Sequence, residues 1–522
     1  MASIWQAIVF LAIICLFCLR LLFLQLPVHM DEYDYLFVGR QLINGESWPS
    51  LSYVFGADFN WYLFAWFDLY IDGICSSGIC GPRLLAWLLG LMSLGACYVF
   101  TRSFSGSPRS ALLATLLLAI TAPHIFISSV TTYDVVAFTL FSWSVAITWL
   151  LFNKQAGNAS QLHRLLLFLA ALLTLASAVL SKYIVLLLLP GIFLLSLLMT
   201  PLLALTGAAL LCLILGAYYL LNRSSLETLI ETQLNGVHAA NITRGELTEQ
   251  LISMLGLPLM VLLITAAMVV MLRLYQQPQH ETPISHVSVT NPSAVKQTAS
   301  VMILILLAAT LPAYHLLTLN RIAFAKHVVY TNFFVLPLLS CLLVILYDNL
   351  KQLFQSALTG KFAIAAFISL YCLSNAIQLS GLKNGYPDMA SLVQFWEAAP
   401  QSGDPQSLAR SQQQSTSRIL SEDPYIFRYL AGHGFDQARI SETTYLDNDL
   451  DGQFTEQDIV DALWDRKYQW VLLTDQIHPL QNARYRHILK LREYRAVFNQ
   501  PYYLTDILGG NHLGNVQLFK SD

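Results

Sequence analysis

The segment His29-Met30-Asp31-Glu32-Tyr33-Asp34-Tyr35 directly follows the first long apolar stretch of the chain, Ile4 to Leu26. That stretch is long enough to cross a bilayer as one helix. Two carboxylates just beyond it lie at the boundary between membrane and water, where they are costly unless solvated, paired or used. The pair marks either a helix end or a reaction centre. We favour a reaction centre, because the segment is denser in acids than a helix cap requires.

The composition indicates a membrane protein. Of 522 residues, 56% are hydrophobic and only 12% are charged, whereas a soluble domain usually carries about 25% charged residues. The net charge of −3 is too close to zero to indicate nucleic acid as a partner. The first apolar stretch has no basic residue before it and is too long for a signal peptide, so we interpret it as a retained span.

Apolar blocks of about 20 residues predict about eleven transmembrane helices. The expected fold class is an α-helical polytopic membrane protein with a small C-terminal α/β domain outside the membrane. Leu165–Leu180 and Ile184–Met199 are short enough to form a re-entrant pair instead. After the first span, the others begin near Leu84, Ala111, Tyr133, Leu165, Ile184, Leu202, Leu251, Val301, Val328 and Phe362.

Polar regions set the predicted domain boundaries. Residues 1–383 form the membrane domain, in which 27–82 is a first outer loop with interfacial helices and 276–297 is a mobile cytoplasmic loop. Residues 384–417 form a linker, and 418–522 form the α/β domain, because strand and helix patterns alternate there. The distribution of Lys and Arg over the short loops places the N-terminus in the cytoplasm and the C-terminal domain outside.

Successive spans cross the membrane in alternate directions, so the face on which each span end lies can be counted from the sequence. This count predicts that acids and bases far apart in sequence share one membrane face. A cavity at that face would combine a carboxylate base with cations suited to a phosphate. Each residue also has a plainer interpretation, since a lysine at a helix end often snorkels and an aspartate at a helix start favours the helix dipole. The residues on this face are Asp31, Glu32, Asp134, Lys182, Arg321, Lys326 and His327.

Two of the eight cysteines, Cys75 and Cys80, lie in the outer loop and are candidates for a disulfide in an oxidising compartment. Two thiols alone do not indicate a metal site. The other six lie in apolar spans and are interpreted as packing residues: Cys15, Cys18, Cys97, Cys212, Cys341 and Cys372.

The ordered set of motifs resembles the GT-C glycosyltransferases that use polyprenyl-phosphate sugars. Within them it is most similar to the protein mannosyltransferase family (family 39), whose bacterial relatives include aminoarabinose transferases of lipid A and galacturonic acid transferases of lipopolysaccharide core. The similar stretches are Met30–Arg40, Gly81–Leu85, Tyr133–Val135, Leu180–Tyr183, and Lys326-His327 followed by Phe334–Pro337.

The resemblance implies an inverting hexosyl or pentosyl transferase in a bacterial inner membrane. Its partners would be membrane lipids, a polyprenyl-phosphate sugar donor, and a glycan, lipid A or protein acceptor. No cofactor is implied, although a divalent cation stays open as an alternative, because a carboxylate cluster suits one. The implied residues are Asp31 as general base with Glu32; Lys326, His327, Lys182 and Arg321 at the donor phosphate; and Asp134, His29, Tyr33 and Arg83 at the acceptor or sugar.

Two other function classes stay open. A lipid-linked oligosaccharide ligase or polymerase would share the donor, but the early Asp31-Glu32 pair argues against it. A secondary transporter should show paired halves with interrupted helices, and the sequence shows no such symmetry.

Overall fold

The computed structural model describes residues 13–14, 17–18, 30–43, 58–71, 80–152, 161–223, 244–276, 292–318, 324–353, 357–384, 389–398, 418–422, 427, 440–442, 456–475, 479–505 and 511–521. The chain divides into two compact units. Residues 83–379 make up most of the first unit. The second comprises 25–47, 61–82 and 380–522.

Long helices dominate the chain as far as residue 384. Within the described residues, eight helical segments are long and apolar enough to cross a membrane: Cys80–Ser105, Tyr133–Leu151, Gln161–Ser181, Pro201–Leu221, Leu247–Met268, Thr298–Thr318, Phe324–Leu353 and Gly360–Ser380. The helices are α1 (Met30–Ile43), α2 (Asp58–Ile71), α3 (Cys80–Ser105), α4 (Pro108–Ile120), α5 (Ala122–Ile127), α6 (Tyr133–Phe152), α7 (Gln161–Ser181), the 3₁₀ helix Tyr183–Leu188, α8 (Leu189–Met199), α9 (Pro201–Leu221), α10 (Arg244–Gln276), α11 (Pro292–Thr318), α12 (Phe324–Leu353) and α13 (Ala357–Asn384).

These helices confirm the polytopic membrane class. Every predicted span start from Leu84 onward falls within one of them, and the two that begin near Ala111 and Ile184 correspond to shorter apolar helices. Most of the predicted first span, Ile4 to Leu26, lies outside the described residues, as does most of the predicted loop 276–297.

Helix α12 lies at the centre of the first unit. Every residue from Phe324 to Ser340 is buried, including the polar Lys326, His327 and Asn332. It packs against α4, α10 and α11. Polar side chains near its N-terminus are therefore held inside the helix bundle.

The span that begins near Ala111 is broken between α4 and α5. Pro123 lacks an N–H and so disfavours a continuous helix at this point. Asn375 of α13 compensates for the break, because its Oδ1 accepts a hydrogen bond from the N–H of Ala122 at 2.7 Å. Helix α5 also lies tightly against α3, where a Cβ added to Gly90 would lie 2.4 Å from the Cβ of Ser128. This packing fixes the chain that leads into α6.

The second unit contains the predicted α/β fold. Its five-stranded sheet has the order β2-β1-β3-β5-β4, with β1 parallel to β2 and β3 and with β5 antiparallel to β3 and β4. Buried apolar side chains such as Leu420, Leu463 and Leu489 form its core. The elements are α14 (Ala390–Ala398), β1 (Ile419–Ser421), β2 (Ile440–Glu442), α15 (Glu456–Trp464), β3 (Trp470–Thr474), α16 (Pro479–Leu491), β4 (Tyr494–Thr505) and β5 (Asn511–Ser521).

The second unit extends beyond the predicted α/β domain. Helix α14 lies within the predicted linker 384–417, and its Trp396 packs on Trp470 with ring centroids 5.1 Å apart. Burial of this tryptophan explains why the segment folds with the sheet. Helix α1 and most of α2 are also in this unit, and Arg40 pairs with the buried Asp68 at 2.5 Å. Asp68 therefore stabilises a contact between α1 and α2.

Candidate functional site

Aromatic packing brings the N-termini of α6 and α12 side by side. The rings of Phe138 and Tyr330 meet edge to face with centroids 5.3 Å apart. Asp134 precedes Phe138 by four residues and Lys326 precedes Tyr330 by four residues, so each lies one turn away on the same helix face. As a result, the Nζ of Lys326 lies 4.0 Å from Oδ2 of Asp134.

Lys182 contributes a second ammonium group to the same carboxylate. It lies between α7 and the 3₁₀ helix, is 3% exposed, and donates a hydrogen bond to Oδ1 of Asp134. Its Nζ also lies 4.9 Å from the centre of the Tyr133 ring. A lysine that snorkels would keep its ammonium in water, so the plainer interpretation of Lys182 is wrong.

Two histidines complete the group. His327 of α12 is buried, and its Nδ1 lies 2.9 Å from Nε2 of His315 near the end of α11. Both the Nε2 of His327 and the hydroxyl of Tyr330 are buried without a hydrogen-bond partner in the described part of the chain. Burial of such polar atoms without a partner is unfavourable. We call Asp134, Lys182, His315, Lys326 and His327 the charged cluster.

The structure brings together only part of the predicted site. Asp134, Lys182, Lys326 and His327 form one cluster, and Asp134 contacts the two lysines proposed for the donor phosphate. Arg83 is buried near the start of α3. Glu32 is buried on α1, in the second unit. The side chains of Asp31 and Tyr33, and the whole of His29 and Arg321, lie outside the described residues.

His315 and Tyr330 are not among the site residues predicted from the sequence, although the sequence contains a signal for each. His315 lies three residues before the end of α11, and α11 packs against α12, so a pairing with a residue at the start of α12 follows from an antiparallel helix pair. Tyr330 lies one turn after Lys326 on the same face.

An apolar cavity of about 310 Å³ lies between α6, α7, α8 and α9 of the first unit. Its wall includes Leu172 and Leu175 of α7, Leu186 of the 3₁₀ helix that follows Lys182, and Leu189 of α8. Gly207 of α9 also lines the cavity, and a Cβ added there would lie 3.3 Å from the Phe168 ring. The remaining space suits a hydrocarbon chain.

A second buried group of polar side chains lies in the second unit, where β1 and β3 end. Glu422 follows β1, and its Oε2 accepts hydrogen bonds from the N–H of Thr474 and from Nδ2 of Asn482, the latter at 3.2 Å. Burial raises the pKa of Glu422 to about 8. Asp475 follows β3, pairs with Arg486, and accepts a hydrogen bond from the N–H of Asn515 at 2.8 Å.

Cys80 is disulfide-bonded, and Cys75 lies outside the described residues, so the pairing of the two stays a prediction. The described cysteines in the apolar helices, Cys18, Cys97, Cys212, Cys341 and Cys372, are free thiols. Among the described residues, no group of three or more His, Cys, Asp or Glu could hold a metal ion.

Comparisons with known proteins identify the fold. No protein-family model and no curated protein sequence matches the chain. The crystal structure of ArnT from Cupriavidus metallidurans in the apo state matches with a TM-score of 0.55 at 14% identity, covering 99% of this chain and 98% of that chain. The undecaprenyl phosphate complex of the same protein has a TM-score of 0.54 at 13% identity, with the same coverage.

A second protein shows the same likeness. The oligosaccharyltransferase AglB from Archaeoglobus fulgidus, in complex with an inhibitory peptide and a dolichol-phosphate, has a TM-score of 0.53 at 11% identity. The match covers 96% of this chain and 74% of the AglB chain. ArnT and AglB both have the GT-C fold. This chain has the GT-C fold. At these identities the likeness concerns the fold alone.

Proposed function

We propose that this protein is a glycosyltransferase that moves a sugar from a polyprenyl-phosphate donor to an acceptor on the outer face of the membrane. The observation that carries the proposal is the charged cluster, in which two ammonium groups contact one carboxylate and a buried pair of imidazoles begins at His327, next to Lys326, inside a bundle of membrane helices. A phosphate would bring negative charge and hydrogen-bond acceptors to these groups.

The neighbours with the same fold support a lipid phosphate as the ligand. One ArnT structure contains undecaprenyl phosphate, and the AglB complex contains a dolichol-phosphate. Both ligands join a phosphate to a long isoprenoid chain. The first unit offers a counterpart for each part: the charged cluster for the phosphate and the apolar cavity for a portion of the chain, because burial of hydrocarbon in an apolar space is favourable.

The proposed reaction needs one base and a stabilised leaving group. An oxygen or nitrogen of the acceptor attacks the anomeric carbon of the sugar, and the bond from that carbon to the phosphate oxygen breaks. Asp31 accepts the proton of the acceptor. Lys182, Lys326 and His327 stabilise the negative charge that grows on the lipid phosphate. Attack from the side opposite the leaving group inverts the anomeric configuration.

The acceptor belongs to one of three classes, namely lipid A, another glycan or protein, in a bacterial inner membrane with the C-terminal domain in the periplasm. The early Asp31-Glu32 pair favours transfer of a single sugar over the ligation of an oligosaccharide.

Mass spectrometry of cells that express the protein tests this function. Wild-type cells should carry a single-sugar mass increment on lipid A, a glycan or a membrane protein. We expect Lys326→Met to lower the transfer rate roughly a hundredfold and to cause the sugar-bearing polyprenyl phosphate to accumulate in lipid extracts. Asp31→Asn should give the same accumulation, because the acceptor would keep its proton.

Lys351→Met is the matched control, because Lys351 is on the same helix as Lys326 but is exposed in its last turn. It should transfer sugar at the wild-type rate. Wild-type glycan and lipid profiles in both Lys326→Met and Asp31→Asn would contradict the proposed function.

A further inference from the structure

We propose that His315 is a positioning residue, which donates a hydrogen bond to Nδ1 of His327 and thereby directs an N–H from Nε2 of His327 to the phosphate of the lipid donor. The inference rests on the proposed function, but it assigns a role to a side chain that would not itself contact the lipid.

The geometry of the two rings requires one donor and one acceptor. Nε2 of His315 and Nδ1 of His327 are 2.9 Å apart, and the ring centroids are 5.0 Å apart. A neutral imidazole carries its hydrogen on one nitrogen only, and the partner of the other nitrogen decides which one. The contact with His315 therefore determines what the far side of His327 can do.

Only one of the two arrangements suits a phosphate. If Nδ1 of His327 donated to His315, the buried Nε2 would be an acceptor, and it would repel phosphate oxygens, which also accept. If His315 donates instead, Nε2 of His327 carries the hydrogen and donates to the phosphate. A histidine that binds a metal is oriented in the same way by a second group behind it.

Packing holds His315 in place for this role. It is 1% exposed, and its ring meets Phe324 edge to face with centroids 5.1 Å apart. Because Phe324 begins α12, the helix that also carries His327, the two imidazoles are held by contacts at the same helix end. Nε2 of His327 has no hydrogen-bond partner among the described residues, so it is available for a ligand.

Binding of undecaprenyl phosphate to the purified full chain in detergent tests the inference. His315→Phe keeps a ring but removes the donor, and we expect it to weaken binding roughly fivefold to tenfold. His315→Gln offers a side-chain N–H at a similar reach and should bind within about twofold of the wild type. Equal binding by the wild type and His315→Phe would overturn the inference.

A double-mutant cycle separates positioning from a general structural role. If His315 acts through His327, then His315→Phe added to His327→Phe should weaken binding no further than His327→Phe alone. A further loss of the same size would show a role independent of His327 and would overturn the inference.

Each variant is checked for monodisperse elution, and His315→Met, with its flexible apolar side chain, takes the place of His315→Phe if that variant does not fold. Absence of binding by the wild type would contradict the proposed function itself. Wild-type binding that is insensitive to His315→Phe would contradict the positioning role alone.

Discussion

Two buried carboxylates, Asp134 of the first unit and Glu422 of the second, are held in different ways. In the first unit, Asp134 contacts the ammonium groups of Lys182 and Lys326. In the second unit, Glu422 accepts hydrogen bonds from neutral groups, the N–H of Thr474 and the amide of Asn482. Burial raises the pKa of Glu422 and so favours its protonated form.

This difference in hydrogen-bond and charge partners indicates that the charged cluster suits a ligand and that the group around Glu422 stabilises the fold. The charged cluster holds more cationic side chains than carboxylates, and it includes a buried imidazole nitrogen that has no hydrogen-bond partner in the described residues. The group around Glu422 instead joins the ends of β1 and β3 to α16 through its own hydrogen bonds. We therefore expect substitutions in the first group to affect lipid binding and those in the second to affect stability.

The largest effect should follow from breaking the buried pair of Asp134 and Lys182. Removal of one partner leaves a buried charge without compensation and typically costs about 3 to 5 kcal/mol. Asp134→Asn and Lys182→Met should each lower the free energy of unfolding by roughly this amount, measured by thermal unfolding in detergent.

The double variant provides the control for that prediction. Asp134→Asn leaves two buried ammonium groups without a carboxylate, and adding Lys182→Met removes one of them. The double variant should therefore be more stable than Asp134→Asn alone, while sugar transfer stays lost. Single variants as stable as the wild type would show that the two side chains do not form a tight buried pair.

Glu422→Gln should change how the stability of the second unit depends on pH. The pKa of Glu422 is raised from 4.5 to about 8 in the folded chain, so between these values the folded state holds a proton that the unfolded state lacks. The free energy of unfolding should therefore fall by about 1.4 kcal/mol per pH unit as pH rises through this window. The glutamine variant should lack that contribution, and it should be more stable than the wild type at pH 8.

The effect is measured by urea-induced unfolding of the full chain at pH 5 and pH 8. The protease sensitivity of the second unit reports the unfolding. Glu456→Gln is the control, because Glu456 is exposed and pairs with Arg484 at 2.9 Å; it should keep the wild-type difference between the two pH values. A Glu422→Gln variant with the same pH response as the wild type would contradict the assignment.

The smallest effect concerns the apolar cavity of the first unit. Gly207→Leu should fill the cavity and weaken the binding of undecaprenyl phosphate roughly fivefold, while geranyl phosphate, whose chain is much shorter, should bind as it does to the wild type. Gly216→Leu is the control on the same helix, since a Cβ at Gly216 meets nothing within 4 Å. Equal losses for both lipids would show that the cavity does not hold the distal chain.

The sequence predicts the membrane helices well, because each has to present about 20 apolar residues to the bilayer. It predicts β3 from the buried run Trp470–Thr474 and α15 from the periodic apolar residues around Leu463. It does not predict the hairpin of β4 and β5, whose residues are partly exposed and show no continuous apolar run. The packing of α14 on the sheet is also not predicted, because it depends on the long-range contact of Trp396 with Trp470.

Part of the site follows from the sequence because span parity assigns charged residues to a membrane face without any detail of packing. Parity predicts that Asp134, Lys182 and Lys326 share a face, but it carries no information about which side chains touch. The contact between Asp134 and Lys326 depends on the register of Phe138 against Tyr330, and the pairing of His315 with His327 depends on how α11 lies against α12. Such registers are set by side-chain packing between distant segments.

The binding of undecaprenyl phosphate to the purified chain is the most direct test of the central claim, that the charged cluster holds a lipid phosphate. The wild type and Lys351→Met should bind the lipid equally, and Lys326→Met should bind it roughly thirtyfold more weakly or worse. Equal binding by the wild type, Lys351→Met and Lys326→Met would contradict the claim.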